Sequence, residues 1–137
     1  MTKMIFISLP VTDLQASTAF YKALGFQHKP QFSDGTAACM VWSEAIQAML
    51  LTHAKWQTFT ERPLPPPGTS GVMLSLALDS REAVDAMNLA AASHGGQADV
   101  NPVQEHGFMY GRDLADPDGH LWGAFWMDQA AIPPTDR

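Results

Sequence analysis

The pattern at residues 5 to 25 returns 67 residues further along the chain, and this repetition limits the fold more than any other feature. In the first copy Ile5, Ile7, Leu9 and Val11 alternate with Phe6, Ser8 and Pro10. Period two with a β-branched apolar side reads as a half-buried strand. Thr12 and Gln15 then form a Thr-x-x-Gln capping box, Leu14, Tyr21 and Leu24 share one helical face, and Gly25 stands at the stop position. In the second copy Val72, Leu74, Leu76 and Leu78 alternate with Met73, Ser75 and Ala77. Asp79 and Glu82 supply the caps, Val84, Met87 and Ala91 the helix face, and Gly95-Gly96 the stop. Matched parity, caps and stops together point to duplication of one unit.

Each helix is followed by further strand-like segments, at 26–32, 36–42 and 46–53 in the first half and at 98–104, 108–114 and 120–127 in the second. Ser33-Asp34-Gly35 and Asp116-Pro117-Asp118-Gly119 read as turns. Between the halves, Pro63, Pro65, Pro66 and Pro67 make a stiff, extended connection. The expected organisation is a βαβββ module over residues 1–60, a linker over 61–71, a second βαβββ module over 72–128 and a loose tail over 129–137. The two modules make one structural domain, because 137 residues is an ordinary single-domain length.

Composition narrows the function classes. Eight Lys and Arg stand against fourteen Asp and Glu, with no basic run, so binding to nucleic acid through phosphate neutralisation is not expected. The one cysteine, Cys39, excludes an intrachain disulfide framework and a cysteine-rich zinc site, and its small-residue strand reads as the place of a buried, inert thiol. The apolar run from Met4 to Val11 is too short to span a membrane and lacks a leader-like cleavage pattern, so the expected location is the cytoplasm. Only 16% of residues are charged, against about 25% in typical soluble domains, which suggests a surface partly covered by a ligand or a second subunit.

The order βαβββ, linker, βαβββ, with Asp13-Leu14, Phe20-Tyr21 and Leu24-Gly25-Phe26 in one half and Asp116-Pro117-Asp118-Gly119-His120 in the other, resembles the vicinal oxygen chelate superfamily. This is the group of glyoxalases, bleomycin-resistance proteins, fosfomycin-resistance enzymes and extradiol dioxygenases. The resemblance covers Met4 to about Met127. It implies an α+β fold in which two βαβββ modules form a U-shaped cleft, usually completed in a homodimer. It also implies four positions where the enzymes of the group hold a divalent metal. Here those positions carry Phe6, Met73, Gly123 and, near the end of the first module, Leu50. None of these side chains offers the oxygen or imidazole nitrogen that such a cation requires.

With the ligand positions so altered, the expected cleft is apolar, formed by Phe6, Leu50, Met73 and Phe125 around the space left at Gly123, with hydroxyls from Ser8, Thr52 and Ser75. Such a pocket suits a flat or greasy small molecule oriented by few hydrogen bonds. Tyr110 and Arg112 share parity and would offer a phenol beside an anion-accepting fork, and His106, in the preceding loop, is the histidine placed to lean over the cleft. His53 and His120 fall on the other face by parity. The favoured expectation is a binding or sequestering protein for a small molecule, with no cofactor and a homodimeric state. The alternatives are a metal-dependent lyase or extradiol dioxygenase with atypical ligands, for which a divalent metal is the cofactor, and a non-catalytic dimeric scaffold.

Overall fold

A computed structural model describes residues 2–131. The loose tail expected beyond Ala131 lies outside the described residues. The first half runs β1 (Ile5–Val11), α1 (Leu14–Leu24), β2 (Gln27–His28), a 3-10 turn (Pro30–Phe32), β3 (Ala37–Ser43), β4 (Ile46–Thr52) and the short α2 (His53–Trp56). The second runs β5 (Met73–Ala77), α3 (Arg81–Ser93), β6 (Gln97–Ala98), β7 (Gln104–Glu105), β8 (Met109–Ala115), β9 (Leu121–Met127) and a final 3-10 turn (Gln129–Ala131). Residues 57–72, which include the prolines, form no helix or strand.

Both helices begin one residue later than their capping boxes suggest. Asp13, not Thr12, caps α1 by accepting from Ala16 N–H at 3.1 Å, and Ser80, not Asp79, caps α3 by accepting from Ala83 N–H at 3.0 Å. Thr12 is engaged elsewhere: its amide and hydroxyl both donate to Asp118 Oδ1, at 2.9 and 2.7 Å. Gly25 ends α1 in the left-handed region at φ 113°, where a side chain would be strained. The segment expected as a strand over 26–32 keeps only two paired residues, because Pro30 has no N–H to donate and starts a 3-10 turn. The segment 98–104 is similarly broken: Asp99 takes a positive φ of 50°, and pairing resumes only past Pro102.

Two sheets result, β1-β4-β3-β2 and β5-β9-β8-β6, with β7 also paired to β8. β1 runs parallel to β4, and β5 runs parallel to β9. No strand of one sheet pairs with a strand of the other. They are joined through a single core. Leu9, Val11, Met40 and Leu50 of the first sheet, Leu76, Leu114 and Trp122 of the second, and Phe20, Tyr21, Val84 and Met87 of the helices form one buried cluster. Both sheets therefore turn their helix side inward, and the opposite face of each is open.

A buried hydrogen-bond chain crosses that core. Trp122 Nε1 donates to the Tyr21 hydroxyl at 2.8 Å, and Tyr21 donates to Asp116 Oδ2 at 2.7 Å. The other Asp116 oxygen accepts from the amides of Asp118 and His120, at 2.9 and 2.8 Å. His120 in turn binds the Pro10 carbonyl at 2.7 Å. The Asp-Pro-Asp-Gly turn thus ties α1 and β1 to the second sheet. Burial, and then the adjacent Asp116 charge, pushes the Tyr21 hydroxyl well above the ordinary phenol range.

Candidate functional site

On the first sheet, strand register decides what the open face carries. Phe6 pairs with Gln47 and Ser8 with Met49 on β4; Gln47 and Met49 pair in turn with Val41 and Cys39 on β3. Paired residues share a face. Since Phe6 is 55% exposed while Leu9 and Leu50 are in the core, the Phe6 and Ser8 rows form the open side. A cavity of about 510 Å³ lies there, lined by Met4, Phe6, Lys29, Phe32, Cys39, Gln47 and Met49. Its walls are mainly apolar. The polar groups are few: the Lys29 ammonium, 5.0 Å from the centre of the Phe32 ring, and the Cys39 thiol, which donates to Gln47 Oε1 at 3.3 Å. Gln47 spends its own amide on the Glu44 carbonyl. Burial raises the Cys39 thiol above its ordinary pKa, against a smaller opposing effect of Lys29. The thiol is therefore protonated at neutral pH and poorly nucleophilic.

On the second sheet the open face is built from Met73, Ser75 and Ala77 of β5, Leu121, Gly123 and Phe125 of β9, and Gly111 and Asp113 of β8. Met73 is 54% exposed, and Ser75 and Ala77 are exposed beside it, whereas Leu76 and Trp122 of the alternate rows are buried.

The expected site residues divide accordingly. Phe6 and Ser8 lie on the first open face; Met73, Ser75, Gly123 and Phe125 lie on the second. Four others do not face either. Leu50 is fully buried in the core beneath the first sheet, because β4 is set one residue out from the expected register and Met49 takes the open position. Thr52 shares the Leu50 row and caps α2, accepting from Lys55 N–H at 3.2 Å. Tyr110 and Arg112 lie on the helix side of β8. The Tyr110 hydroxyl donates to Asp85, and Arg112 donates to Asp99 at 3.0 and 2.7 Å and to Asp85 at 2.8 Å. The guanidinium fork is thus already filled by carboxylates: the Tyr110 hydroxyl and then Arg112 hold Asp85 below the ordinary aspartate range, and Arg112 holds Asp99 there. His106 sits exposed at the β7–β8 turn and does not line the Phe6 cavity.

Lys29, Phe32, Gln47 and Met49 were not expected at the site. β4 is apolar at almost every position, so alternation hides its faces, and Gln47 was the cue to its register. Asp113 was also missed as an open-face group, since Arg112 and Asp113 place charge on both sides of β8.

The donor set does not fit a divalent metal. The positions that the resemblance would give to metal ligands present carbon side chains or none, and among the described residues no three His, Cys, Asp or Glu side chains are grouped to hold an ion. No helix among the described residues is long and apolar enough to cross a membrane.

Comparison with known proteins follows the same lines. Residues 3–43 match the family described as bleomycin resistance protein-like N-terminal. A search of curated proteins finds no match. Among solved structures, a hypothetical protein, SA1046, from S. aureus is similar at 27% identity and TM-score 0.76, over 92% of this chain and 95% of that one. A glyoxalase/bleomycin resistance protein from Albidiferax ferrireducens T118 is similar at 26% identity and TM-score 0.67, over 88% and 95%. The fosfomycin resistance protein FosX from Mesorhizobium loti shares the fold at 11% identity and TM-score 0.67, over 95% and 96%. The two-sheet α+β architecture, the N-terminal match and these relatives agree: the chain has the fold of the glyoxalase, bleomycin-resistance and dioxygenase proteins.

Proposed function

We propose that this chain is a metal-free binding protein that sequesters a small molecule with an apolar body on the open sheet faces. The observation that carries the reading is the cavity of about 510 Å³ at Phe6, whose lining is mainly apolar. Its size is within the range of small-molecule pockets, and its few polar groups would orient a ligand without activating it. The inert Cys39 thiol and the absence of a grouped acid, base and nucleophile among the lining residues favour binding over catalysis.

A homodimer is part of the same proposal. Both sheets share one core through their helix sides, so the open face of the first sheet and that of the second cannot close on each other within one chain. A second copy can bring its second sheet over the first sheet of its partner. The free outer edges support this pairing, since Ile5 and Phe6 on β1, Met73 on β5 and Val72 just before it are all more than half exposed.

The test uses N-acetyl-dansylcadaverine, a neutral aromatic probe, with binding followed by fluorescence. Saturable binding is expected, weakened at least about tenfold by Met49→Glu, which puts a charge into the apolar wall. Absence of saturable binding both by this probe and by its amine-bearing parent dansylcadaverine, or one tightly held divalent ion per chain in the purified protein, overturns the reading.

A further inference from the structure

We infer that the ligand carries a protonated amine, and that Asp113 and Ser75 on the second sheet's open face receive it. This inference rests on the binding reading above and names the chemistry of its ligand.

Asp113 is unlike the carboxylates near it. Asp85, Asp99 and Glu105 are each ion-paired to Arg112 or Arg81. Asp113 forms no ion pair among the described residues. Its orientation is nevertheless fixed, because Oδ2 accepts from the Asn101 side-chain amide at 2.9 Å. Its backbone carbonyl accepts from Val100 N–H at 3.1 Å and from the Asn88 side chain at 3.3 Å. Oδ1 is left free of any protein donor among the described residues and is turned toward Gly123.

The cross-strand partners complete the niche. Gly123 pairs with Ser75 on one side and Asp113 on the other. A side chain beginning at Gly123 would start 2.9 Å from Asp113 Oδ1 and 2.9 Å from Ser75 Oγ. Both oxygens, one of them from a carboxylate, therefore close over the bare glycine backbone from its two neighbouring strands, where a Cβ would crowd them. Ser75 Oγ has no hydrogen-bond partner among the described residues. Around this point Met73 and Phe125 supply apolar surface for the body of a ligand. A primary ammonium satisfies both oxygens and neutralises the carboxylate, whereas a carboxylate or phosphate would be repelled.

The experiment compares dansylcadaverine, which ends in a primary ammonium, with its neutral N-acetyl derivative, at neutral pH. The native protein is expected to bind the ammonium form at least about tenfold more tightly. Asp113→Asn, which keeps a partner for Asn101 but removes the charge, should abolish that preference. Gly123→Ala, whose Cβ forces the Asp113 and Ser75 oxygens aside, should abolish it independently. Saturable binding of both probes with no preference in the native protein overturns this inference and leaves the binding reading standing. A preference that survives both substitutions likewise overturns the assignment to Asp113. Failure of both probes to bind overturns the binding reading and this inference with it.

Discussion

Asp116 is the residue through which the two halves of the chain are most directly coupled. Its carboxylate takes hydrogen bonds from Tyr21 and from two amides of its own turn, and Tyr21 passes the connection to Trp122. The site is still costly for a charge, since burial raises the Asp116 carboxyl above the ordinary aspartate range despite those bonds and the nearby His120. A raised carboxyl favours the folded state in its protonated form. Its contribution is fully present below the unfolded pKa and is lost as pH rises through the folded one. Asp116→Asn removes that titration. Stability of the native protein relative to the variant, measured by urea unfolding, should therefore increase as pH falls from neutrality toward the ordinary aspartate pKa. Asp85 and Asp99 titrate in the opposite sense, with ion pairs lost only below that range, but they are common to both proteins and cancel in the comparison. The turn around Asp116 is legible in the sequence from Asp-Pro-Asp-Gly alone. Its bond to a tyrosine on the first helix is not, because nothing local to either segment records their meeting.

At the scale of elements, the strands show where pattern reading succeeds and where it slips. β1 and β5 alternate cleanly, and the open positions of Phe6, Ser8, Met73 and Ser75 follow from parity. β4 and β8 do not alternate cleanly, so Leu50 and Thr52, and Tyr110 and Arg112, were assigned to the wrong face. A shift of one residue reverses every side chain in a strand. Gly96 marks a different constraint, where α3 returns to β6. A Cβ there would lie 2.2 Å from the Ala115 carbonyl oxygen and 2.5 Å from the Phe20 ring. Backbone and a fully buried ring cannot both yield cheaply, so Gly96→Ala should destabilise the fold by about 1–3 kcal/mol or more. A shift in the urea midpoint with an unchanged denaturant dependence is the expected result. A variant as stable as the native protein would show that the turn relaxes freely.

For the whole molecule, the shared core dictates how a binding cleft can be assembled. With the helix sides of both sheets committed to one cluster, two open faces remain with exposed apolar residues at their edges. The proposed dimer covers them. Light scattering on the purified chain should give twice the 14.9 kDa monomer mass. Ile5→Lys, a charge on the outer strand, should shift the mass toward the monomer and weaken binding of the neutral probe in parallel. A native protein that is monomeric at micromolar concentration and still binds the probe would separate the pocket from the dimer.

The low share of charged residues first suggested a covered surface, and the exposed Ile5, Phe6, Val72 and Met73 give that suggestion a location. What the sequence determined by itself is the repeated strand-helix plan, the main turns, and the apolar or absent side chains at Phe6, Met73 and Gly123. These are matters of residue type and local periodicity, which a single chain segment encodes. The tertiary structure decided the face of β4 and β8, the capture of Arg112 by Asp85 and Asp99, and the isolation of the Asp113 carboxylate beside Gly123. Each of these depends on strand register or on contacts between distant segments, where small differences in packing select one arrangement and the sequence pattern is equally compatible with another.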